Sequence, residues 1–273
     1  MKPSEAPAAL QTANREQLAA VFNREAEAVR SLNASVTMKL VAGTAYTGLI
    51  EEYHEVKGFI LAQKPSSIRV IGQAPVVSKN IFDMVSDGQT FRIYIPSKNK
   101  FLVGPANLER QSSKPIENLR PQHLLEALLW EPIPENAPVL FEEAFETDGK
   151  YYVLTVLRHR EGATAEAESG SKEWEIGRKM WFERVNLTLA RLQIFGAEGK
   201  LNSDVRYAGW RPSGAATYPL QIELRRPGND YQLGIEVKKV TLGDTIAADK
   251  FELAQPAGTE LVAVDAAAKG AKP

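Results

Sequence analysis

The apolar positions between Lys57 and Pro105 fall into five short runs, each closed by a proline or a glycine. The runs are rich in β-branched and aromatic residues, which is typical of consecutive antiparallel strands. Asp87-Gly88, between the third and fourth runs, favours a tight hairpin turn because Asp and Gly suit left-handed turn positions. The predicted strands comprise residues 58–63, 67–72, 80–85, 90–95 and 101–103.

Two segments have the spacing of helices instead. In residues 14–32 the apolar side chains recur at helical intervals, and a strand pattern at residues 34–41 follows. Residues 116–130 form a second helix candidate, in which Pro121 is compatible only with the first turn. The apolar face of this second helix is unusually rich in leucine. Its members are Leu119, Leu124, Leu125, Leu128 and Leu129, with Trp130 at the end.

The second half of the chain returns to strand patterns, with Asp148-Gly149 as another hairpin signal. Residues 107–115 and 160–171 are polar and aperiodic, which is typical of loops. Further strands are predicted at residues 48–56, 139–147, 150–159, 174–186, 190–196, 205–210, 219–226 and 231–241, and the ordered region is predicted to end at 251–253. We therefore expect a mainly β fold, in which a curved antiparallel sheet carries a few helices on one face.

Composition narrows the range of functions. The chain has 273 residues, a formal net charge of −1 and no cysteine. A nucleic-acid-binding protein would show a basic footprint, and without cysteine there is no disulfide, thiolate metal site or catalytic thiol. No apolar run approaches the roughly 18 residues needed to cross a bilayer. Residues 1–14 are predicted to be a polar linker and 266–273 a disordered tail, with 15–265 as a single domain.

No set of reactive side chains converges in the sequence. His54, His123 and His159 lie in three different predicted elements, without the spacing of metal ligands. Adjacent glutamates such as Glu142 and Glu143 point to opposite faces of a strand, which makes them poor catalytic pairs. The sequence contains neither a Gly-x-Ser-x-Gly elbow nor a Walker-type loop. It therefore predicts a protein that is not an enzyme and uses no metal or other cofactor.

The order of five motifs carries a family resemblance. They are G-F-I-L-A-Q-K-P-S-S-I-R-V (58–70), M-V-S-D-G-Q-T-F-R-I-Y-I-P (84–96), Y-P-L-Q-I-E-L (218–224), Y-Q-L-G-I-E-V-K-K-V-T-L (231–242) and D-K-F-E-L (249–253). In this order the motifs resemble the LolA/LolB-like family of periplasmic lipoprotein carriers, within the outer-membrane lipoprotein-sorting superfamily. The resemblance covers roughly residues 15–265, which is nearly the whole chain.

That resemblance implies an incomplete (half) β-barrel wrapped around plug helices, with an apolar cavity that accepts the acyl chains of lipids or lipoproteins. It also implies a location in the periplasm, with or without an anchor to the outer membrane. The opening residues fit either an exported protein cloned without its signal or a cytoplasmic protein, and the amino-terminal Cys of a lipid anchor is lacking. The expected partners are acyl chains and an envelope protein, not nucleic acid. The alternative is an envelope sensor or interaction domain that binds a partner protein or a lipidated peptide with the same fold.

The candidate cavity residues are the apolar side chains of the predicted sheet and of helix 116–130. Burial of acyl methylenes gains about 0.8 kcal/mol each, so such a cavity needs few polar contacts. The candidates are Phe59, Leu61, Ile68, Val70, Phe82, Met84, Phe91 and Ile93 from the sheet, and Leu124, Leu125, Leu128 and Leu129 from the helix. For each single residue ordinary core packing is the alternative, since buried apolar side chains are usually just packing. Alternation does not tell which face of the sheet is concave.

Arg69 is predicted to point away from Ile68 and Val70, since neighbouring strand residues face opposite sides. One hypothesis makes it a gating group at the cavity rim that contacts helix carbonyls or a lipid head group. The other makes it a solvated residue whose stem packs on the sheet. Opening of the cavity would require residues 116–130 or 107–115 to move.

Overall fold

The computed structural model describes residues 8–42, 51–52, 55–74, 79–106, 120–160 and 174–264. The predicted loop at residues 107–115, nearly all of the predicted loop at 160–171, Tyr53, His54, Leu119 and the predicted tail lie outside the described residues. So does most of the strand that was predicted at residues 48–56.

The described chain is mostly strand, with two α-helices. The helices are α1 (Arg15–Ala28) and α2 (Pro121–Leu128). The strands are β1 (Ser31–Ala42), β2 (Glu51–Glu52), β3 (Val56–Gln63), β4 (Ser67–Gln73), β5 (Asn80–Ser86), β6 (Thr90–Ile95), β7 (Lys100–Pro105), β8 (Val139–Glu146), β9 (Gly149–His159), β10 (Trp174–Glu183), β11 (Leu189–Phe195), β12 (Leu201–Ala208), β13 (Arg211–Ser213), β14 (Ala216–Tyr218), β15 (Gln221–Arg226), β16 (Tyr231–Leu242) and β17 (Glu260–Ala263).

One large sheet contains all of these strands except β13 and β14, which form a separate hairpin. Its order is β17-β7-β6-β5-β4-β3-β1-β16-β15-β12-β11-β10-β9-β8, with β2 paired to β1. The first strand therefore lies in the middle, where Ala34 is opposite Ile60 of β3 and Met38 is opposite Ile235 of β16. Every pair along this order is antiparallel apart from β17 and β7. The sheet curves without closing into a barrel, so the predicted half-barrel is confirmed.

The sheet has one face that the helices cover, which we call the helix face, and an opposite outer face. Leu18, Phe22 and Ala26 of α1 are buried in the same core cluster as Ile60 and Val70 of the sheet. The cluster extends across the sheet from β5 to β9, so the core is a continuous layer between sheet and helices.

Both helices are shorter than predicted. The first begins at Arg15 and is capped by Asn14, whose side chain accepts from the N–H of Gln17 while the Gln17 side chain accepts from the Asn14 N–H. It ends at Ala28, four residues before the predicted limit, because Ser31 already pairs with β3. The second begins with Pro121 in its first turn, as predicted, and ends at Leu128 because Leu129 is extended.

The end of the chain departs from the sequence prediction, because order does not stop at residues 251–253. The segment from Asp244 to Val264, which we call the C-terminal strap, crosses the outer face and joins β7 through β17. Its contacts include the N–H of Ile246 donating to Oε1 of Gln63 at 2.8 Å. The four residues of β17 are too few to show an alternating pattern. The strap therefore lies on the sheet but gives no periodic signal.

Candidate functional site

The second helix lies over the helix face with its leucines turned inward, as predicted. Leu124, Leu125, Leu128 and Leu129 are all buried and share the core cluster with Ile68, Val70 and Met84 of β4 and β5. Pairing of Val70 with Met84, and of Met84 with Ile93 of β6, places these sheet residues on one face. The structure thus brings the four leucines together with candidates from β4, β5 and β6, which correspond to the strands predicted at 67–72, 80–85 and 90–95.

Phe82, Phe91 and Ile93 complete this side of the sheet. Phe82 lies opposite Gly72, and its ring occupies the space that a side chain there would need, since a Cβ at Gly72 would stand 2.3 Å from it. Phe91 is buried, with the Arg120 guanidinium carbon 5.3 Å from its ring centroid. Phe82 and Ile93 are only half-buried, so they are apolar positions of the helix face that retain accessible surface.

Phe59 and Leu61 do not belong to this group, and the prediction that they line the same cavity as Ile68 and Val70 is wrong. Val70 is paired with Ile60, which is fully buried, whereas Phe59 is on the outer face and 46% exposed. The cause is the two-residue repeat of a strand, because a shift by one position transfers every side chain to the other face. In β3 both alternating sets are apolar, so the sequence did not distinguish them.

Arg69 lies on the outer face and does not reach the cavity side. Its Nε and Nη2 donate to the two carboxylate oxygens of Asp83 at 3.0 and 2.7 Å, and its Nη1 donates to the carbonyls of Lys250 and Glu252 at 3.0 and 3.4 Å. Hydrogen bonding to Asp83 raises the pKa of Arg69. The predicted position at the cavity rim is therefore wrong. The alternative prediction of a solvated side chain is also wrong, because the guanidinium is hydrogen-bonded to Asp83 and to the strap. Arg69 is an ion-paired anchor for the C-terminal strap.

The chain that leaves α2 is held by side chains that the sequence did not single out. Lys64 Nζ donates to the carbonyl of Ala26, in the last turn of α1, at 2.7 Å. It also donates to the carbonyl of Trp130 at 2.5 Å. Arg178 donates to the carbonyls of Glu131 and Pro132 at 2.6 and 2.7 Å. Desolvation lowers the pKa of Lys64, and burial lowers that of Arg178 to about 10. The Ala26 carbonyl is one of the last in α1 and lacks an intrahelical donor, and the other three carbonyls belong to the extended segment that follows α2.

Aromatic side chains satisfy the last carbonyls of the helix itself. The hydroxyls of Tyr207 and Tyr218 donate to the carbonyls of Ala127 and Leu128, each at 3.0 Å, and the Trp130 indole N–H donates to the Tyr207 oxygen at 3.1 Å. Burial raises the pKa of Tyr218, consistent with a neutral donor. We call Lys64, Arg178, Tyr207, Tyr218 and Trp130 the C-terminal anchor of α2.

At the opposite end of α2, Gln122 and His123 form hydrogen bonds to residues of the sheet and its turns. Gln122 donates to the Ser66 carbonyl at 3.0 Å and to the Ser86 hydroxyl at 2.9 Å. His123 Nδ1 lies 2.8 Å from the Tyr231 hydroxyl, and its Nε2 lies 3.0 Å from Nη2 of Arg226. Because a guanidinium only donates, Nε2 accepts and the proton is assigned to Nδ1.

Desolvation and the charges of Arg226 and Arg120 hold the pKa of His123 well below its ordinary value. We call Gln122 and His123 the N-terminal latch of α2. No strong signal in the sequence marks the latch or the C-terminal anchor, since their partners are distant along the chain.

Two open spaces lie away from the leucines of α2. A groove of about 400 Å³ runs along the outer face and has polar walls that include Lys39, Glu223 and Glu236. A pocket of about 230 Å³ opens beside α1, with an apolar lining that includes Phe22, Trp130, Phe182 and Trp210. Ligand pockets usually measure roughly 300–1,000 Å³. The leucines of α2 are themselves buried by direct packing in the core cluster, so a ligand at that face requires α2 to move.

Among the described residues, no helix is long and apolar enough to cross a membrane, and no group of three His, Asp or Glu could hold a metal ion.

Solved structures share this fold at low sequence identity. A DUF1329 family protein from Desulfovibrio piger has a TM-score of 0.55 at 12% identity, over 86% of this chain and 94% of that one. A LolA superfamily protein from Nitrosomonas europaea has a TM-score of 0.50 at 13% identity, over 86% and 97%. An outer membrane lipoprotein-sorting protein domain from Vibrio parahaemolyticus has a TM-score of 0.50 at 9% identity, over 87% and 97%.

No protein-family model matches the sequence, and no curated protein matches it. The likeness to solved structures shows the fold, and it confirms the LolA-like architecture that the motif order predicted.

Proposed function

We propose that this protein is a non-catalytic carrier of the bacterial envelope that holds lipid or lipoprotein acyl chains between α2 and the sheet. The observation that carries the proposal is the leucine face of α2, a helix of eight residues whose buried side chains include Leu124, Leu125 and Leu128. When such a short element moves aside, an acyl chain can cover the apolar surface it leaves. Exchange of one apolar partner for another costs little, since both remove the same surface from water.

The two ends of α2 are held differently, which gives the opening a direction. In the C-terminal anchor, cations and hydroxyls from three strands and from the turn after β3 donate to the carbonyls at the end of α2 and just after it. The N-terminal latch is defined by two side chains, Gln122 and His123. We therefore expect the end at Pro121 to leave the sheet first while Trp130 remains in place. This movement exposes Leu124 and Leu125 together with the sheet residues beneath them.

The sheet wall of the proposed site consists of helix-face residues only. Phe82 and Ile93 have accessible surface already and would receive a chain first. The remaining members become accessible as α2 moves. The proposed lining residues of the sheet are Ile68, Val70, Phe82, Met84, Phe91 and Ile93. Those opposite the sheet are Leu124, Leu125 and Leu128 of α2, together with Leu129 directly after the helix.

The fold supports a periplasmic location, because the solved structures that share it include a LolA superfamily protein and a lipoprotein-sorting domain. We propose the periplasm, with attachment to the outer membrane depending on a lipid anchor outside this sequence. An envelope protein that delivers or receives the acyl chain would be the second partner.

Native mass spectrometry of protein purified in the presence of bacterial membranes tests the proposal. We expect a fraction of the protein to carry a lipid or lipopeptide of defined mass, released by collisional activation. Repeated recovery of empty protein, together with failure to bind a fluorescent fatty acid, would contradict the carrier function.

Variants of the latch test where the site opens. Gln122→Ala removes two hydrogen bonds, and each typically contributes about 1 kcal/mol. Uptake of a fluorescent fatty acid should therefore become roughly 5- to 30-fold faster if unlatching limits the rate. Gln11→Ala is the matched control, because its side chain also donates to a carbonyl, that of Val185 at 2.9 Å. Equal uptake rates in both variants would refute opening at this end.

A further inference from the structure

The edge strand β8 exposes three large apolar side chains. Leu140 is 59% exposed, Phe141 39% and Phe145 68%. At the opposite edge of the sheet, the C-terminal strap pairs β17 with β7. Exposed strand edges with apolar side chains are templates for pairing with another chain. Among the strands that the structure describes, one edge of the sheet is thus extended by β17, and β8 forms the other edge with apolar side chains and no further strand paired to it.

The backbone of β8 presents a definite row of outward groups. The N–H of Leu157 donates to the carbonyl of Pro138 at 2.9 Å, so residues at even positions of β8 point their backbone groups toward β9. Those at odd positions point outward. At the first of them, the Val139 carbonyl already accepts from Nη1 of Arg15 at 3.4 Å.

The next three outward residues are Phe141, Glu143 and Phe145. Within the described part of the chain, no hydrogen bond reaches their outward backbone groups.

We propose that β8 pairs with β8 of a second copy of this chain, antiparallel and about a two-fold axis at Glu143. Only outward residues can form hydrogen-bonded pairs across the junction. The two-fold arrangement that uses all three of them places Glu143 opposite the partner's Glu143. It also places Phe141 opposite the partner's Phe145, and the reverse, so that two aromatic pairs form on one face.

Two of the three carboxylates of β8, those of Glu142 and Glu143, have counterions within the chain, and the axis of the proposed pair passes through Glu143. Glu143 accepts from Arg184 at 2.9 Å, and Glu142 lies 3.7 Å from Lys179. The two carboxylates that meet at the axis are each neutralised by their own arginine. A basic peptide from another protein would find these carboxylates occupied, and this favours a second copy as the occupant.

Disulfide formation tests the register directly, because the chain has no cysteine. Under mild oxidation, Glu143→Cys should form a covalent dimer, since Cα atoms of a hydrogen-bonded antiparallel pair are about 5.5 Å apart and disulfides span about 4.4–6.8 Å. Glu146→Cys is the matched control on the same strand. It faces the partner's Leu140 rather than its own copy and should cross-link no faster than random collision allows.

A mixed experiment keeps the test valid if Glu143→Cys folds poorly. Leu140→Cys and Glu146→Cys should each remain uncross-linked alone but form a heterodimer when mixed. Sedimentation of the unmodified protein should show a reversible monomer–dimer equilibrium, because an interface of one strand pair falls at the small end of specific interfaces. Phe145→Glu should reduce association at least tenfold, whereas Leu261→Glu, at an exposed position of β17, should not.

The proposal is overturned if the protein remains monomeric at all concentrations and the mixed variants cross-link no faster than either alone. A co-purified foreign peptide that occupies β8 in place of a second copy would overturn it as well.

Discussion

Replacement of Lys64 by methionine tests whether the C-terminal anchor fixes the end of α2. The substitution retains most of the aliphatic stem and removes the two hydrogen bonds to the carbonyls of Ala26 and Trp130. Both of those residues are buried, so their carbonyls have little access to replacement water. A hydrogen bond from a charged donor contributes about 1.5–3 kcal/mol. Desolvation of the ammonium opposes this gain, which is why the pKa of Lys64 is lowered.

The net loss for Lys64→Met is therefore about 2–4 kcal/mol in the free energy of unfolding. For a chain of this size that corresponds to a decrease of roughly 4–16 °C in Tm. Urea denaturation monitored by tryptophan fluorescence measures the loss, because Trp130 lies within the anchor. Lys57→Met is the control, since Lys57 lies in β3, the strand just before Lys64, and is exposed. Its replacement should change stability by less than about 0.5 kcal/mol.

A double-mutant cycle with Arg178→Met examines whether the anchor acts as a unit. Arg178 binds the carbonyls that directly follow the one bound by Lys64. Groups that hold adjacent positions of one segment usually show coupling of about 0.5–3 kcal/mol. If Lys64→Met destabilises the protein no more than Lys57→Met, the anchor does not fix this segment and the assigned direction of opening fails.

Two further predictions concern the latch and the strap. The pKa of His123 is lowered in the folded chain. Below the ordinary histidine pKa of about 6.5, the unfolded chain therefore binds more protons than the folded chain. Acidification should then reduce the free energy of unfolding by at most about 1.4 kcal/mol per pH unit. Urea titrations at pH 7 and pH 5 should show a smaller fall for His123→Gln, and an equal fall would contradict the buried neutral histidine. Asp83→Asn should cost about 1–3 kcal/mol and increase proteolysis of the C-terminal strap, because Arg69 loses its ion pair. Glu223→Gln breaks the exposed pair with Arg225 and should change neither stability nor cleavage.

Local patterns predicted the strands well because most are bounded by residues with a clear conformational preference. The strand predicted at residues 90–95 is β6 (Thr90–Ile95), which Asp87-Gly88 and Pro96 delimit. The assignment of faces was less successful. In β3 the outer side chains Phe59 and Leu61 are as apolar as Ile60, so only pairing with neighbouring strands reveals which set is buried.

The anchoring residues could not be predicted, because their partners are brought together only by the fold. Lys64 lies beside Pro65 in what reads as a turn, and a lysine in a turn is usually solvated. Its acceptor on Trp130 is 66 residues away along the chain. Arg178 lies in β10 directly after a register shift, so simple alternation does not assign its face. Its acceptors follow a helix and lie 46 or more residues earlier. Backbone carbonyls are present at every residue, so composition does not mark those that need a donor.

The length of α2 determines what kind of movement can open the proposed site. A helix of eight residues has little stability of its own, since isolated helices shorter than about 12–15 residues are marginal in water. Its order therefore depends on packing against the sheet and on the C-terminal anchor. Once the latch at Gln122 and His123 breaks, the freed turn loses both its packing and its partners. We expect α2 to unwind turn by turn from Pro121 instead of swinging as a rigid lid, so that Leu124 and Leu125 become accessible before Leu128. The test is hydrogen exchange of the amides from Leu125 to Leu129, because the earlier amides of α2 lack intrahelical acceptors in any case. Among these amides we expect the fastest exchange at Leu125 and the slowest at Leu129, and uniform exchange would instead indicate a rigid movement.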